Sequence, residues 1–309
     1  MTLAVEDVRP AGEDVVAITL RHPRKPLLPA ATAGAHVDVH LPDGRVRHYS
    51  LCGDPADRAV YRIAVKREEG GRGASRWLHE TLRPGQTLVV SAPRNHFALE
   101  PAHRTLLLGA GIGVTPLLAM ARSLAAEGRD FHLHVAARSR AAVPLADEIA
   151  AAIDPRRVSW HLGDEPGGRL DLAALLAEPR PGTAIYCCGP ARFMDAVATA
   201  TAAWPEGALH REAFAPLDDA DFVPAPFAIA IASSGIVLPV PAERSALAVL
   251  REAGIELSST CEIGVCGSCE CGILDGTPIH RDVVLSPRAR RDRFIPCVSR
   301  AEGTIHLAL

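Results

Sequence analysis

The chain has 309 residues but only two lysines, Lys25 and Lys66. Its other cations are arginines, a usage that suggests a GC-rich genome and says little about function. Long apolar runs are missing: the longest, residues 227–240, is broken by two serines and a glycine and is too short to span a bilayer. The opening M-T-L-A-V-E-D-V carries acids and no apolar core, so no secretory leader is expected and the cytoplasm is the expected location. A net charge of −3 lacks the basic excess that nucleic-acid binding requires. No histidine follows a cysteine of residues 258–273 in a C-x-H or C-x2-H pattern, which disfavours a Rieske centre there. What remains is a chain 48% hydrophobic and 22% charged, the composition of a soluble globular protein long enough for two or three domains.

The strongest signal is S-S-T-C-E-I-G-V-C-G-S-C-E-C-G-I at residues 258–273. Cys261, Cys266 and Cys269 are spaced C-x4-C-x2-C, and Cys297 lies downstream in F-I-P-C-V-S-R. This is plant-type [2Fe–2S] spacing: three thiolates on one tight loop, and a remote fourth closing the far side. Gly264 and Gly267 suit such a loop, because they open backbone conformations closed to other residues and let amides approach sulfur. Two plainer readings compete. A structural zinc site would pair C-x2-C with a second such pair or with histidines, and buried free thiols would not need the spacing. The cluster is the expectation, with Cys261, Cys266, Cys269 and Cys297 as ligands. Cys271 reads as a structural thiol on the strand leaving the loop. Reduced thiolates agree with a cytoplasmic location.

Upstream, residues 1–100 alternate and are rich in β-formers. V-V-A-I-T-L, H-V-D-V-H-L, V-R-H-Y-S-L and V-Y-R-I-A-V read as strands, with turns at 42–44 and 84–85 and one helix over 74–82. An antiparallel β-barrel is expected. It carries R-H-Y-S-L (Arg47, Tyr49, Ser50) and the glycine-rich turn G-R-G-A-S, residues 71–75, before a helix start, with Gly73 or Ser75 as cap. From residue 101 to 214 strands alternate with helices: strands at 105–109, 131–137, 158–162 and 184–188, and helices to 126, at 144–153, at 172–177 and to 203. That pattern predicts an α/β domain with a parallel sheet. Gly111-x-Gly113 between strand and helix can receive a pyrophosphate, although Pro116 replaces the third glycine of the full fingerprint. Cys188-Gly189-Pro190 ends another strand at the ligand-binding sheet edge. Cys187 reads as a small buried hydrophobe, and Cys188 as either that or a site residue. Residues 215–226, with four acids among Ala and Pro, read as a linker. Residues 227–309 supply strands at 227–232, 236–240 and 304–309, a helix at 246–253 with Ser245 near its cap and Gly254 after its end, and the cysteine loop. A small α+β domain of β-grasp type is expected.

In this order R-H-Y-S-L, G-R-G-A-S, A-G-I-G-V-T-P, C-C-G-P and the cysteine set resemble phthalate dioxygenase reductase and the vanillate O-demethylase reductases, over nearly the whole chain. The resemblance implies an FMN-binding barrel, an NADH-binding α/β domain, and a ferredoxin domain that passes electrons to an oxygenase of Rieske type. It implies that Arg47, Tyr49 and Ser50 contact the flavin, and that the turn at residues 71–75, with Gly73 and Ser75, holds its phosphate together with Lys66. Gly111, Gly113, Gly189 and Pro190 would line the nucleotide, Thr115 and Cys188 would flank the nicotinamide, and Phe214 in H-R-E-A-F would lie near the flavin. The catalytic set implied is Ser50, Thr115 and Cys188. The ferredoxin domain stands last, which favours FMN over FAD. A monomer is expected, with no nucleic acid or membrane as partner. The acceptor could instead be a cytochrome P450, and a non-catalytic zinc-binding or redox-sensing module is the reading of another class.

No acid follows the strand at 131–137, where the ribose would be read; Arg138 and Arg140 stand there, yet NADH is expected, since A-R-S also occurs in NADH-using relatives. Arg288, Arg290, Arg291 and Arg293 crowd the stretch before Cys297, where relatives often carry acids; they read as a solvated basic loop.

Overall fold

The computed structural model describes residues 1–70, 73–217, 221–286 and 288–309. They form two compact units, Met1–Glu212 and Ala213–Leu309.

The first unit begins with six strands: β1 (Thr2–Pro10), β2 (Val15–Arg21), β3 (His36–His40), β4 (Val46–Ser50), β5 (Val60–Lys66) and β6 (Thr87–Val90). Their order is β4-β3-β6-β1-β2-β5, every pair antiparallel. A Leu51–Ile63 bridge joins the two end strands and closes the barrel. Alternation sends Leu3, Ile18, Leu20, Val37 and Ile63 into the core, each essentially inaccessible. The helix α1 (Ala74–Glu80) adds Ala74 and Leu78 to that core, and stops two residues short of the expected end. Its cap is Gly73 at φ 83°, without a side-chain cap. Ser75 does not cap it either: its hydroxyl accepts from the Glu68 amide at 3.1 Å. Gly71 and Arg72 of the same turn lie outside the described residues.

A parallel sheet follows: β7 (Arg104–Ala110), α2 (Val114–Ala126), β8 (Asp130–Ala137), α3 (Ala146–Ala152), β9 (Val158–Leu162), α4 (Leu172–Leu175), β10 (Thr183–Cys188), α5 (Ala191–Ala200) and β11 (Leu209–Glu212), in the order β11-β10-β7-β8-β9. The chain leaves β7 toward β8 on one side and returns to β10 on the other. This is the switch point at whose carboxyl end α/β sheets bind ligands. β10 is buried throughout because it is central, whereas β11 at the sheet edge is half polar.

The second unit orders β12 (Phe227–Ile231), β13 (Val237–Val240), α6 (Ala246–Glu252), β14 (Cys271–Ile279), β15 (Arg293–Phe294) and β16 (Arg300–Ala308) as β13-β12-β16-β14-β15. Only β12 and β16 are parallel, which is the β-grasp arrangement. Ser245 caps α6 by accepting from the Ala248 amide at 3.2 Å, and Gly254 follows at φ 78°. Phe227, Ile229, Leu250, Phe294 and Ile305 form the core. Of the expected linker, residues 218–220 lie outside the described set. Its far half is not loose. The Arg281 guanidinium lies 3.9 Å from the centre of the Phe222 ring, and Arg300 Nη2 donates to the Ala225 carbonyl at 2.7 Å.

Candidate functional site

Two centres emerge, one in each unit. In the first unit Ser50 ends β4 almost wholly buried, and its Oγ donates to Glu212 Oε2 at 3.2 Å. Glu212 ends β11 directly beside Cys188, which ends β10, which in turn lies beside Gly109 of β7. The barrel thus meets the carboxyl edge of the parallel sheet at one hydroxyl and one carboxyl. Burial pushes the Glu212 carboxyl up to about 8, with the Ser50 hydrogen bond opposing it. Burial also raises the Cys188 thiol well above its ordinary value, and the charges of Glu212 and Cys187 add to the effect.

The two glycine turns meet backbone to backbone at this edge. A Cβ on Gly113 would stand 2.2 Å from the Cys188 carbonyl oxygen, and one on Gly189 would stand 2.9 Å from the Ala110 Cβ. Both must be glycine, because the two turns pack against each other there, and Gly113 is buried in that contact. Gly111 sits at φ 53°. Thr115 is buried and its Oγ1 donates to the Ile112 carbonyl at 2.9 Å, so its hydroxyl braces the turn. Pro190 stands just before α5.

Other expected residues are placed as follows. Strand alternation sets Arg47 and Tyr49 on one face of β4 and Ser50 on the other. Burial pushes the Tyr49 phenol up to about 12. Arg47 Nη1 donates to the Val46 carbonyl at 2.7 Å. At Gly73 a Cβ would lie 2.8 Å from Arg45 Nη1 and 3.9 Å from Arg76 Nη2, so two guanidiniums converge where only Gly73, Ser75 and Lys66 were expected. Lys66 is half-exposed, 3.6 Å from Glu68. Arg138 is 81% exposed and pairs with Glu13 at 3.2 Å, while Arg140 stacks 3.7 Å over Trp160. An acid therefore does reach the end of β8, from far away in sequence. Phe214 is half-buried at the start of the second unit.

In the second unit Cys266, Cys269 and Cys297 are buried and Cys261 is half-buried. The thiols meet two by two: Cys261 shares a hydrogen bond with Cys266, and Cys269 with Cys297. These bonds draw Cys266 and Cys269 down and push Cys261 and Cys297 up. Backbone amides reach the sulfurs, Ile263 donating to Cys261 Sγ at 3.5 Å, and Ser268 Oγ lies 3.0 Å from Cys266 Sγ. Gly264 and Gly267 take φ 76° and 69°, and a Cβ on Gly264 would meet Val298 at 2.7 Å. Among the described residues no three His, Cys, Asp or Glu side chains gather as a single ion would require. Two pairs of thiols ringed by amides fit a two-iron cluster with two thiolates on each iron. Cys271 stands apart on β14, its Sγ 3.8 Å from the Phe294 carbonyl, and burial pushes it up to about 12.

Sequence reasoning did not find Glu212, Arg45, Arg76 or Glu13. Glu212 was within sight in H-R-E-A-F. Arg45 and Glu13 are set by pairing between distant segments, whereas Arg76 is three residues from Gly73.

A closed barrel abutting a parallel sheet at its ligand edge, in one chain with a four-cysteine β-grasp unit, defines an iron–sulfur oxidoreductase of the reductase class. Residues 229–302 match the 2Fe-2S iron-sulfur cluster binding domain. The vanillate O-demethylase oxidoreductase of a Pseudomonas species is 40% identical over 305 residues, 97% of this chain and 96% of that protein. The crystal structure of phthalate dioxygenase reductase, described as a modular structure for electron transfer from pyridine nucleotides to [2Fe-2S], superposes with a TM-score of 0.73 at 36% identity and covers 100% and 98% of the two chains. An intact type IV self-sufficient cytochrome P450 monooxygenase gives a TM-score of 0.91 at 42% identity; all of this chain matches 41% of that one. The chain belongs to the phthalate dioxygenase reductase and vanillate O-demethylase reductase family, the reductase components of multicomponent oxygenases. No helix among the described residues is long and apolar enough to cross a membrane.

Proposed function

We propose that the chain is an NADH-dependent reductase that binds FMN, holds a [2Fe–2S] cluster on Cys261, Cys266, Cys269 and Cys297, and supplies single electrons to a Rieske-type oxygenase. The observation that carries this reading is the Ser50–Glu212 hydrogen bond, where barrel and parallel sheet meet beside Cys188. The reading divides the chain into a flavin domain at 1–100, a nucleotide domain at 101–214, a linker at 215–226 and a ferredoxin domain at 227–309. A monomer in the cytoplasm is part of the same reading.

When bound, FMN converts a two-electron hydride donor into single-electron steps that a [2Fe–2S] cluster can carry. The chain's own residues bind and orient. Arg45, paired with Asp43, and Arg76 converge at Gly73 on the turn expected for a phosphate, with Ser75 in α1 and Lys66 at the end of β5. Gly111, Gly113, Gly189 and Pro190 bare the backbone for the dinucleotide, and Thr115 holds their turn in shape. Cys188 keeps its proton in a site closed to water, and Ser50 presents a hydroxyl ordered by Glu212. Below about pH 8 Glu212 holds a proton at its carboxyl next to that hydroxyl. Arg47 and Tyr49 supply the cation and ring of a flavin site. Glu13 occupies Arg138, which favours a ribose hydroxyl over a phosphate and hence NADH. Potentials favour the acceptor: plant-type clusters lie roughly 250 mV below the lower Rieske centres, about 6 kcal/mol per electron.

A second reading gives the same chain a cytochrome P450 as acceptor, because its whole length matches 41% of a self-sufficient cytochrome P450 monooxygenase. The purified protein should show flavin and iron–sulfur absorption and release FMN on acid extraction. Recovery of FAD, or of zinc without iron, defeats the proposal. Reconstitution with a Rieske oxygenase and, separately, a P450 decides the acceptor.

A further inference from the structure

We propose that the arginine face beside Cys297 is the docking surface for the acceptor oxygenase, and that it fits an acidic patch around that partner's own redox centre. This deepens the reading above, since it rests on electrons leaving through the four-cysteine site.

The argument begins with where the charge lies. Residues 281–300 carry six arginines and two aspartates, net +4, while the rest of 227–309 carries two arginines and seven acids, net −5. A domain close to neutral overall is thus strongly divided. The sequence alone is compatible with a solvated basic loop, but the structure gives the arginines a scaffold. Arg288, Arg290, Arg291 and Arg293 are all exposed. The turn that bears three of them packs Ala289 against the small core cluster of Leu247, Leu285, Ile295, Cys269 and Cys297. The cations therefore sit on the first layer of protein around two of the thiols.

That turn is also fastened to the cysteine loop. Arg290 Nη2 donates to the Asp282 carbonyl at 2.8 Å, and His280 Nε2 lies 2.9 Å from the Arg290 carbonyl. The fully buried Asp282 carboxylate accepts from the Val284 and Leu285 amides at 3.1 and 2.7 Å. Between them, the Val283 amide donates to the Gly264 carbonyl at 3.0 Å. A loop that only needed to be wet would not require a buried carboxylate at its root. Three acids oppose the patch: Glu270 and Asp292, 3.3 and 3.9 Å from Arg293, and Asp282, 4.0 Å from Arg290. Set against four exposed arginines they leave it positive. Electron transfer requires close approach on the thiolate side, so the sign of the field there selects the partner.

The experiment uses the full-length holoprotein and two small one-electron acceptors of opposite charge, ferricyanide and hexaammineruthenium(III), at about 0.01 M ionic strength, where the Debye length is ~30 Å. Cluster-dependent rates are those lost in Cys269→Ser. In Arg288→Glu/Arg291→Glu the cluster-dependent ferricyanide rate should fall roughly tenfold and the ruthenium rate should rise. Arg288→Lys/Arg291→Lys should match wild type, NADH-driven flavin reduction should be unchanged throughout, and the differences should collapse in about 1 M salt. An acceptor ratio identical in wild type and both double variants overturns the docking proposal. If instead Cys269→Ser leaves both acceptor rates intact, electrons do not leave through the cluster, and it is the underlying functional reading that fails.

Discussion

Glu212→Gln is the most informative single substitution. A glutamate carboxyl titrates near 4.5 in water, and burial moves this one to about 8. Between those values the folded chain keeps a proton that the unfolded chain has released. The stability it contributes is whole below pH 4.5 and is lost as pH rises through 8. At 1.36 kcal/mol for each pH unit, the span is worth about 5 kcal/mol at most. Glu212 keeps some accessible surface, so about 2–3 kcal/mol is the working figure. Glutamine preserves the shape and the hydrogen bond to Ser50 but has no proton to lose. Calorimetry of the holoprotein from pH 5.5 to 9.5 should therefore show wild type losing stability relative to the variant. For a unit of this size the divergence should reach roughly 4–12 °C in Tm by the alkaline end. Stopped-flow reduction by NADH should show an apparent pKa near 8 in wild type that the variant lacks. If both proteins run parallel in Tm and in rate across this range, the carboxyl does not titrate there and the reasoning is refuted.

Serine at Cys261, Cys266, Cys269 or Cys297 should abolish the iron–sulfur spectrum yet leave NADH-to-flavin reduction, whereas Cys271→Ser should keep iron; loss of iron at Cys271 with retention at Cys269 would reverse the ligand assignment. Gly113→Ala meets the Cys188 carbonyl oxygen at 2.2 Å with no flexible atom to yield, so it should cost about 1–3 kcal/mol and raise the KM for NADH, as steady-state kinetics would show. Arg45→Ala and Arg76→Ala should each lower FMN retention in a dialysis assay, and unchanged retention removes them from the phosphate site. Arg138→Ala should leave the preference for NADH over NADPH intact because Glu13 already occupies that guanidinium, whereas Glu13→Gln should raise kcat/KM for NADPH; a wild-type preference for NADPH that Arg138→Ala removes would show that the arginine reads a 2′-phosphate.

Much of the architecture was legible because it rests on local periodicity. The strands from β2 to β5 and the buried runs of β7, β8 and β10 stand out as alternating or continuous apolar segments, and the structure places them within a residue or two of the sequence reading. The strands left unread were those without such runs. β1 and β6 bury residues on one face only, and β11 is an edge strand of Leu-His-Arg-Glu. The cysteine spacing and Ser245 with Gly254 were legible for a similar reason, since a tight loop and a helix cap are set by neighbours in sequence. Ser75 misled because a serine at a helix start satisfies whichever amide is nearest, and here that is Glu68.

Glu212, Glu13 and Arg45 escaped the sequence reading because each gains its meaning from a partner distant in the chain. Glu212 is 162 positions from Ser50 and Glu13 is 125 from Arg138, so no local window contains the pair. The same holds for Phe222 and Ala225, which look like linker until Arg281 and Arg300 are seen to hold them. Local chemistry announces which groups could be bound; long-range pairing decides their charge state and orientation. A carboxyl at the end of a polar edge strand would ordinarily be ionised and solvated. Placed against Ser50 and beside Cys188, it becomes a proton-holding group, because burial raises it to about 8. The strand that carries it could afford to be short and polar because its role is to bring that one carboxyl to the sheet's end.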